Sequence, residues 1–418
     1  MKKEKIIIIG GGFGGMTVAK ELDEDKFDVT LIDKTNHHLF QPLLYQVATA
    51  ALSPGDIASP LRAIVSHKKN VKVFLGEVTY IDPVNKSVTL ENREFYYDKL
   101  IVATGTRHSY FGNEMWEKYA RGLKTLDDAL KIREMILLSL EEAEKTDTPA
   151  ERDKLLTYVI IGGGTTGVEM AGAIAEIAKR TVIRDFRNID PSSTKIILIH
   201  AHDRILNSYS GNLSNSAKDI LTRMGVHIRF GSRITNISSE GVFVGEEFIP
   251  TKNIIWAAGN IASPLMKSLN TELDRAGRVM VTGSLSLKNN NNIYVVGDTA
   301  NFIDGNGNSL PQVAQVALQQ AKYLARNLNS GNVKGIFKYI DKGSMSTIGR
   351  ASAVARIKGF EFTGFFAWLL WSMVHVLFLI TYRNRLKVIS EWIFFYFTSR
   401  QGVRLITHSE QIIRLRRL

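Results

Sequence analysis

The sequence predicts an α/β fold made of two Rossmann-like dinucleotide-binding domains and a C-terminal helical segment. Two glycine-rich loops predict the domains, because residues 10–15 and 162–167 each follow a short apolar strand and precede an alanine-rich helical stretch. A cluster of 13 Phe, Trp and Tyr residues between Phe360 and Phe397 sets the C-terminal segment apart. With 418 residues, 44% of them hydrophobic, the chain is long enough for two cores and an added segment.

The spacing of the first loop assigns a role to each of its glycines. Gly10 allows a tight turn, Gly12 lets the backbone approach a pyrophosphate, and Gly15 lets the helix pack on the strand. The second loop repeats the pattern with Gly162, Gly164 and Gly167. Either loop alone could be an ordinary strand-to-helix turn, but two loops in matching contexts predict two bound dinucleotides.

Three further motifs follow in the order that such a fold requires. Asp33 closes a strand 18 residues after Gly15, where a carboxylate binds ribose hydroxyls. Residues 292–298 form an apolar strand that delivers Asp298 to a glycine turn, which resembles a flavin-contact motif of two-dinucleotide, glutathione-reductase-like flavoproteins. Two other stretches resemble the crossover strands of that superfamily and end in further candidate cofactor contacts, namely Thr104, Gly105, Ala258 and Gly259.

The order of the motifs predicts four segments: 1–110, the first part of the first nucleotide domain; 111–280, the second nucleotide domain; 281–336, the return to the first; and 337–418, the C-terminal segment. Three stretches, 71–74, 87–90 and 95–97, predict a small antiparallel insertion in the first domain. Helical periodicity predicts a helix over 126–145.

Basic charge is concentrated in the C-terminal segment. From Asp341 onward 12 Lys and Arg stand against 4 Asp and Glu, so +8 of the net charge of +12 lies there. The aromatic residues form apolar blocks flanked by basic residues, which excludes nucleic acid and favours a membrane surface over a buried helix pair or dimer interface. Residues 364–381 are about long enough to span a bilayer, yet Ser372 and His375 favour helices that lie in the interface.

The chain contains no cysteine. Disulfide reductases of this architecture need a redox Cys pair, and sulfide:quinone oxidoreductases need cysteines to capture sulfur, so both activities are excluded. The apolar run after the first lysines is only four residues long, too short for a secretory signal, which predicts a catalytic body in the cytoplasm.

Three stretches, 36–48, 162–169 and 314–319, carry a resemblance to the type II NADH:quinone oxidoreductases, single-subunit respiratory enzymes that do not pump protons. The resemblance covers essentially the whole chain. It implies FAD in the first domain, NADH in the second, transfer of electrons to a membrane menaquinone or ubiquinone, a homodimer, and a peripheral location on the cytoplasmic side of the cell inner membrane. The FAD site that it implies consists of Gly10, Gly12, Gly14, Gly15, Asp33, Lys34, His38, Val78, Asp298 and Gln315.

Three residues are candidates for catalysis. Glu169 follows the second glycine loop, where a carboxylate could complement the helix dipole or, as the family resemblance implies, deliver protons to quinone. Gln315 and Gln319 lie one helical turn apart after Pro311 and could mark a solvated face, but their apolar surroundings and the resemblance favour a quinone carbonyl. His37 and His38 have no matching ligand cluster, so we assign no metal.

His200 stands where the family usually has an acidic residue that favours NADH over NADPH. The departure leaves NADPH open as a substrate, although a histidine can also donate to a ribose hydroxyl. Two other hypotheses stay open: a soluble reductase with a ferredoxin-like partner, for which the aromatic segment has no purpose, and a non-enzymatic NAD(H)-binding flavoprotein. Sequence does not decide the quinone type or the oligomeric state.

Overall fold

The structure is a computed structural model that describes residues 2–331, 335–398 and 402–406. By their internal contacts the residues divide into two compact units. The first unit holds the described residues of Met1–Leu39, Ala58–His108 and Asn260–Lys342; the second holds those of Phe40–Ile57, Ser109–Gly259 and Gly343–Leu418.

The α-helices formed by the described residues are, in chain order, α1 (Phe13–Glu21), α2 (Leu44–Ala48), α3 (Pro54–Ile57), α4 (Leu61–Ile64), α5 (Leu126–Lys145), α6 (Pro149–Leu155), α7 (Thr165–Glu176), α8 (Gly211–Arg223), α9 (Ala314–Ser330), α10 (Gly364–Phe378) and α11 (Tyr382–Thr398).

The strands are β1 (Glu4–Ile9), β2 (Phe27–Asp33), β3 (His37–Leu39), β4 (Ala58–Pro60), β5 (Val71–Leu75), β6 (Val78–Asp82), β7 (Ser87–Leu90), β8 (Arg93–Tyr96), β9 (Lys99–Val102), β10 (Thr106–His108), β11 (Ala120–Gly122), β12 (Thr157–Ile161), β13 (Lys195–Ile199), β14 (Val226–Arg229), β15 (Ile234–Ser238), β16 (Gly241–Val244), β17 (Glu247–Pro250), β18 (Asn253–Trp256), β19 (Asn260–Ala262), β20 (Val279–Met280), β21 (Ile293–Val295), β22 (Ala300–Asn301), β23 (Ser344–Thr347), β24 (Ala353–Ile357) and β25 (Phe360–Thr363).

A parallel sheet with strand order β21-β9-β1-β2-β5 forms the centre of the first unit. Ile6 to Ile9 of β1 are all buried, because a central parallel strand is covered on both faces, and this explains the unbroken apolar run in the sequence. Helices α1 and α9 pack against each other. The carboxyl ends of β1, β2 and β9 bring the first glycine loop, Asp33 and Thr104 to one edge of the sheet, where dinucleotides bind in such folds.

The predicted antiparallel insertion exists, but one of its strands was misassigned. Strand β5 pairs in parallel with β2, and the antiparallel sheet is β6-β7-β8. Strands β5 and β6 are both short and are separated by only two residues. Periodicity identifies such strands without indicating which sheet each one joins.

The second unit repeats the parallel design with strand order β11-β18-β12-β13-β14. Strand β12 is buried throughout and leads into the second glycine loop and α7. Helix α5 occupies the predicted residues and begins with a capping box in which Thr125 and Asp128 satisfy each other's backbone N–H. The predicted fold class of two Rossmann-like units is therefore confirmed.

Two antiparallel sheets complete the second unit: β15-β16-β17 and β23-β24-β25. Helix α10 packs against the latter sheet and α11 packs against α10 and α3. Trp371 of α10 and Val388 of α11 are buried. In the described part of the chain, none of the helices combines the length and the apolar character needed to cross a bilayer.

The division into units differs from the predicted segments in three places. By internal contacts, residues from Asn260 onward group with the first unit, residues 40–57 group with the second, and the described C-terminal helices also group with the second, while the four segments remain a prediction. The reason is packing: α2 lies against α5 and α7, and α10 lies against β23 and β24. Sequence order does not record these contacts.

Candidate active site and cofactor sites

The first glycine loop has the geometry that a bound pyrophosphate needs. Gly10 has a φ of +104°, and a Cβ there would lie 2.4 Å from the Ala103 carbonyl oxygen. A Cβ on Gly15 would lie 1.9 Å from the Gly10 carbonyl oxygen, so this glycine lets α1 approach β1. A Cβ on Gly12 would meet nothing within 4 Å, which leaves the loop backbone open to a ligand. Gly14 packs closely on Val296.

Two side chains hold the backbone of Gly11, one at its N–H and one at its carbonyl oxygen. The Gly11 N–H donates to Asp33 Oδ2 at 2.6 Å, and the backbone N–H and hydroxyl of Thr35 hold Asp33 Oδ1 at 2.6 and 2.7 Å. His38 Nδ1 lies 2.9 Å from the Gly11 carbonyl oxygen and must donate to it. Burial lowers the pKa of His38, which favours the neutral ring. Its Nε2 is then a buried acceptor without a partner among the described residues, so the site can still take a donor.

The opposite end of this site is formed by the turn after β21. Gly297 has a φ of +77° and its N–H donates to Gln320 Oε1 at 2.7 Å. Gln312 Nε2 donates to the Asp298 carbonyl oxygen at 3.0 Å, and the Thr106 hydroxyl lies 3.5 Å from Asp298 Oδ2. Gln320 was missed in the sequence because nothing in a helical pattern distinguishes it from its neighbour Gln319.

The two candidate glutamines of α9 both bind backbone groups of 340–342. Gln319 donates from Nε2 to the Ile340 carbonyl oxygen at 2.9 Å and accepts the Ile340 N–H at 3.0 Å. Gln315 Oε1 accepts the Lys342 N–H at 3.2 Å. Helix α9 begins at Ala314, so Pro311 lies before the helix.

The second glycine loop repeats the first. Gly162 has a φ of +113°, a Cβ on Gly167 would lie 1.8 Å from the Gly162 carbonyl oxygen, and a Cβ on Gly164 would meet nothing within 4 Å. The Gly163 N–H donates to His200 Nδ1 at 3.0 Å. His200 therefore holds this loop as Asp33 holds the first, but without a negative charge. Burial, followed by the neighbouring His202, lowers the pKa of His200 and favours the neutral ring that can accept this bond.

Glu169 lies in α7 beyond its first turn, and its carboxyl group lies deep among protein atoms although the residue is partly exposed. Burial raises the pKa of Glu169 to about 8, while the Thr347 N–H and the Ser346 hydroxyl favour the charged form. The group is therefore mainly neutral at pH 7. A neutral carboxyl does not repel a nucleotide phosphate and does not complement a helix dipole.

A second buried carboxyl lies on the same helix. Glu176 is seven residues after Glu169, and burial raises its pKa to about 7 against the effect of Arg180 and Arg350. It lines a pocket between α2, α7, α10 and α11, which we call the aromatic pocket; Arg350, Trp368, Trp371, Trp392 and Tyr396 are among its lining residues. The heptad spacing of the two glutamates was visible in the sequence, but their burial was not.

The remaining candidate positions are distributed as follows. Val78 is buried in β6, Lys34 is exposed after β2, and the Thr104 hydroxyl lies 3.0 Å from that of Thr299, which in turn donates to the Gly105 carbonyl oxygen at 2.6 Å. Ala258 and Gly259 follow β18, where a Cβ on Gly259 would lie 2.6 Å from the Phe111 ring. Among the residues that the structure describes, no three His, Asp or Glu side chains are arranged to hold a metal ion.

Comparison with known proteins gives a consistent result. Residues 4–321 match the pyridine nucleotide-disulphide oxidoreductase family, and residues 342–401 match the NDH2 C-terminal domain. Two type II NADH:quinone oxidoreductases of Mycobacterium tuberculosis, Ndh and NdhA, are 40% and 42% identical; the alignments cover 99% and 97% of this chain and 93% and 90% of theirs. The structure of NDH2 from Plasmodium falciparum in complex with NADH has a TM-score of 0.89 at 22% identity, covering 95% of this chain and 99% of that one.

Proposed function

The chain belongs to the type II NADH:quinone oxidoreductases, and from this premise we propose which of its residues bind the nucleotides, serve the quinone and meet the membrane. It is an FAD-dependent enzyme that oxidises NADH and reduces a quinone. The observation that carries the assignment of sites is the pair of matching glycine loops, each with an open middle glycine, one in each unit. The lack of cysteine excludes the disulfide chemistry in the name of the broader family.

FAD is held by the first unit. The loop at Gly10, Gly12, Gly14 and Gly15 receives its pyrophosphate, Asp33 binds a ribose hydroxyl, and Asp298 addresses the other end of the cofactor. Gly11 is held by Asp33 and His38, which fixes the backbone of the loop. When bound, FAD accepts a hydride from NADH and passes two electrons to a quinone. The remaining positions of the site are Lys34, Val78, Thr104, Gly105 and Gln315.

Replacing Asp33 by alanine should release flavin before it unfolds the protein. Charge-assisted hydrogen bonds contribute roughly 1.5–3 kcal/mol, so we expect FAD affinity to fall by about tenfold to a hundredfold. The measurement is the visible flavin absorbance that remains after desalting, with circular dichroism to check the fold. Asp28→Ala removes a carboxylate from the same strand and should keep its flavin. A colourless wild-type protein after reconstitution would refute the FAD site altogether.

NADH is held by the second unit, with its pyrophosphate on Gly162, Gly164 and Gly167 and its nicotinamide end toward Glu169, Ala258 and Gly259. His200 holds the loop through Gly163 and takes the place of the acidic residue that would exclude a 2′-phosphate. We therefore propose that NADPH is accepted as a second, poorer substrate.

His200→Glu should sharpen the preference for NADH by up to about a thousandfold, because like charges about 4 Å apart repel by roughly 4 kcal/mol at an effective dielectric constant of 20. The quantity to measure is the ratio of kcat/KM for NADH and NADPH. His200→Gln keeps an acceptor for the Gly163 N–H without adding charge and should leave the ratio nearly unchanged. A wild-type enzyme that rejects NADPH completely would show that His200 does not set this specificity.

Glu169 holds and delivers a proton for quinone reduction. Its pKa of about 8 leaves the carboxyl protonated at pH 7, as a general acid must be. Gln315 and Gln319 are the candidate partners of a quinone carbonyl; since their amides bind the backbone of 340–342, each would exchange that contact for the quinone. The aromatic pocket, with flat rings and an Arg350 guanidinium 5.0 Å from the Tyr396 ring, suits the apolar chain of a menaquinone or ubiquinone.

Helices α10 and α11 form the membrane-docking surface. Most of their exposed side chains are apolar and large, and Arg383 and Lys387 lie exposed among those of α11. The set consists of Phe365, Phe366, Leu369, Met373, Leu377, Phe378, Tyr382, Leu386, Ile389, Ile393, Phe394 and Phe397. We place the enzyme peripherally on the cytoplasmic side of the inner membrane, as a homodimer whose mass can be checked by light scattering in detergent.

One assay separates this function from its alternatives. Detergent-solubilised enzyme should oxidise NADH steadily only when a menaquinone or ubiquinone analogue is added. Turnover with ferredoxin-like acceptors but not with quinones would indicate a soluble reductase instead. The absence of turnover with any acceptor would indicate a non-enzymatic flavoprotein.

A further inference from the structure

A chain of hydrogen bonds crosses the second unit from α11 to β23. Trp392 Nε1–H donates to Gln46 Oε1 at 2.7 Å, Gln46 Nε2 donates to the Tyr45 hydroxyl at 2.9 Å, and the Tyr45 hydroxyl lies 2.8 Å from Thr347 Oγ1. Gln46, Tyr45 and Thr347 are buried. Each of the three bonds therefore lies where a lost partner is costly.

The chemistry of the donors fixes the direction of this chain. An indole N–H can only donate, so it holds the Gln46 amide with Oε1 toward α11 and Nε2 toward Tyr45. The Tyr45 oxygen then accepts from the amide, and its own proton has Thr347 Oγ1 as acceptor. In this arrangement Tyr45 donates to Thr347, and the bond holds the Oγ1 atom of Thr347 in place.

The chain of hydrogen bonds ends at Thr347, which lies beside Glu169. Helix α7, which carries Glu169, packs against both α2, which carries Tyr45, and β23, which ends at Thr347. The Thr347 N–H favours the charged carboxyl, and the charge of Glu169 contributes, after burial, to raising the pKa of Tyr45. Among the described residues, Tyr209, from the loop before α8, also lies in the field of Glu169, and Arg356 of β24 lies near that tyrosine.

We propose that Tyr45 is a positioning residue for quinone reduction: its hydroxyl fixes Thr347, whose N–H faces the Glu169 carboxyl, and Gln46 and Trp392 fix Tyr45 in turn. The inference rests on the proposed role of Glu169. The hydrogen bonds connect the position of α11, one of the two helices of the membrane-docking surface, to Glu169, which delivers the proton.

The test is a pH titration of Glu169 in full-length, FAD-loaded enzyme by infrared difference spectroscopy. Glu169→Gln identifies the carbonyl band of the protonated carboxyl. Both Tyr45→Phe and Thr347→Val remove one hydroxyl and keep the shape, and each should raise the Glu169 pKa by about one unit, since the hydrogen bond that favours the charged form is weakened. The pH profile of quinone turnover should move by the same amount.

A double variant provides the internal check. Tyr45→Phe combined with Thr347→Val should shift the titration no further than either change alone, because both act through one bond. Tyr209→Phe is the matched control: it removes another buried phenol in the field of Glu169 that is not bonded to Thr347, and it should leave the titration in place.

Unchanged titration in Tyr45→Phe and Thr347→Val, or an equal shift in Tyr209→Phe, would overturn the proposal. If Tyr45→Phe does not retain FAD, Thr347→Val decides alone. Full turnover in Glu169→Gln would refute the role of Glu169 while leaving the titration shifts readable, so the two failures are distinguishable.

Discussion

Glu169→Gln is expected to lower quinone-dependent turnover by about 10²- to 10⁴-fold, the range in which positioned acids and bases contribute to catalysis. Glutamine has the shape of the protonated carboxyl but cannot release a proton. FAD and NADH binding should survive, because the neutral amide resembles the form that dominates at pH 7. Stopped-flow flavin reduction by NADH and its reoxidation by quinone separate the two half-reactions, and only the second should slow.

The raised pKa of Glu169 also predicts how the quinone turnover of the wild-type enzyme changes with pH. The pKa of Glu169 is raised to about 8, so quinone turnover should fall as pH rises through that value and the carboxyl loses its proton. The pKa of Glu169 in the folded protein is higher than its ordinary value of 4.5. The protonated carboxyl therefore contributes fully to the free energy of unfolding below pH 4.5, and this contribution is lost as pH rises through 8. Glu169→Gln should therefore resist unfolding better than wild type at pH 9.

A matched control guards against a purely structural effect. Glu134→Gln removes another buried carboxyl, in α5, and should leave both the turnover and its alkaline limb intact. Equal turnover of Glu169→Gln and wild type across pH would leave the carboxyl with a structural role only.

The second large effect concerns the membrane-docking surface. The triple variant Phe365→Ser, Leu369→Ser and Phe394→Ser removes three side chains that are at least half exposed. Fully burying such a side chain contributes roughly 1.5–3 kcal/mol, and these three are already about half buried, so binding to anionic liposomes should weaken by about two to three orders of magnitude. Turnover with small soluble acceptors should persist, while turnover with long-chain quinones in vesicles should fall. Co-sedimentation with liposomes measures the first quantity directly.

Substitution is preferable to truncation, because removing residues from Phe360 onward would also remove β25 and the buried Trp371 and Val388. The control variant Val84→Ser, Met115→Ser and Ile303→Ser changes three exposed apolar residues outside α10 and α11 and should sediment like wild type. High salt should weaken docking without abolishing it, since basic residues near an anionic surface contribute about 1 kcal/mol each. Equal partitioning of the two triple variants would assign the surface to a dimer interface.

Several features followed from local sequence alone. The positive φ of Gly10 and Gly162, the buried strands before them and the bounds of α5 are properties of neighbouring residues, so spacing and periodicity predict them. The departure at His200 was equally visible, because the position after a Rossmann strand determines what the side chain meets. These patterns and the family resemblance were sufficient for the fold class, the cofactors and the reaction.

The tertiary structure decided which groups pair across the chain. Tyr45 and Thr347 are 302 residues apart and Gln46 and Trp392 are 346 apart, and no periodicity records such partners. Contacts between distant segments also determine three other features. They decide which sheet β5 joins, they bind Gln319 to Ile340, and they bury Glu169 and so raise its pKa. A local pattern determines the conformation of a segment and which face it buries; hydrogen bonds and desolvation depend on what packs against that face, which is set only when distant segments meet.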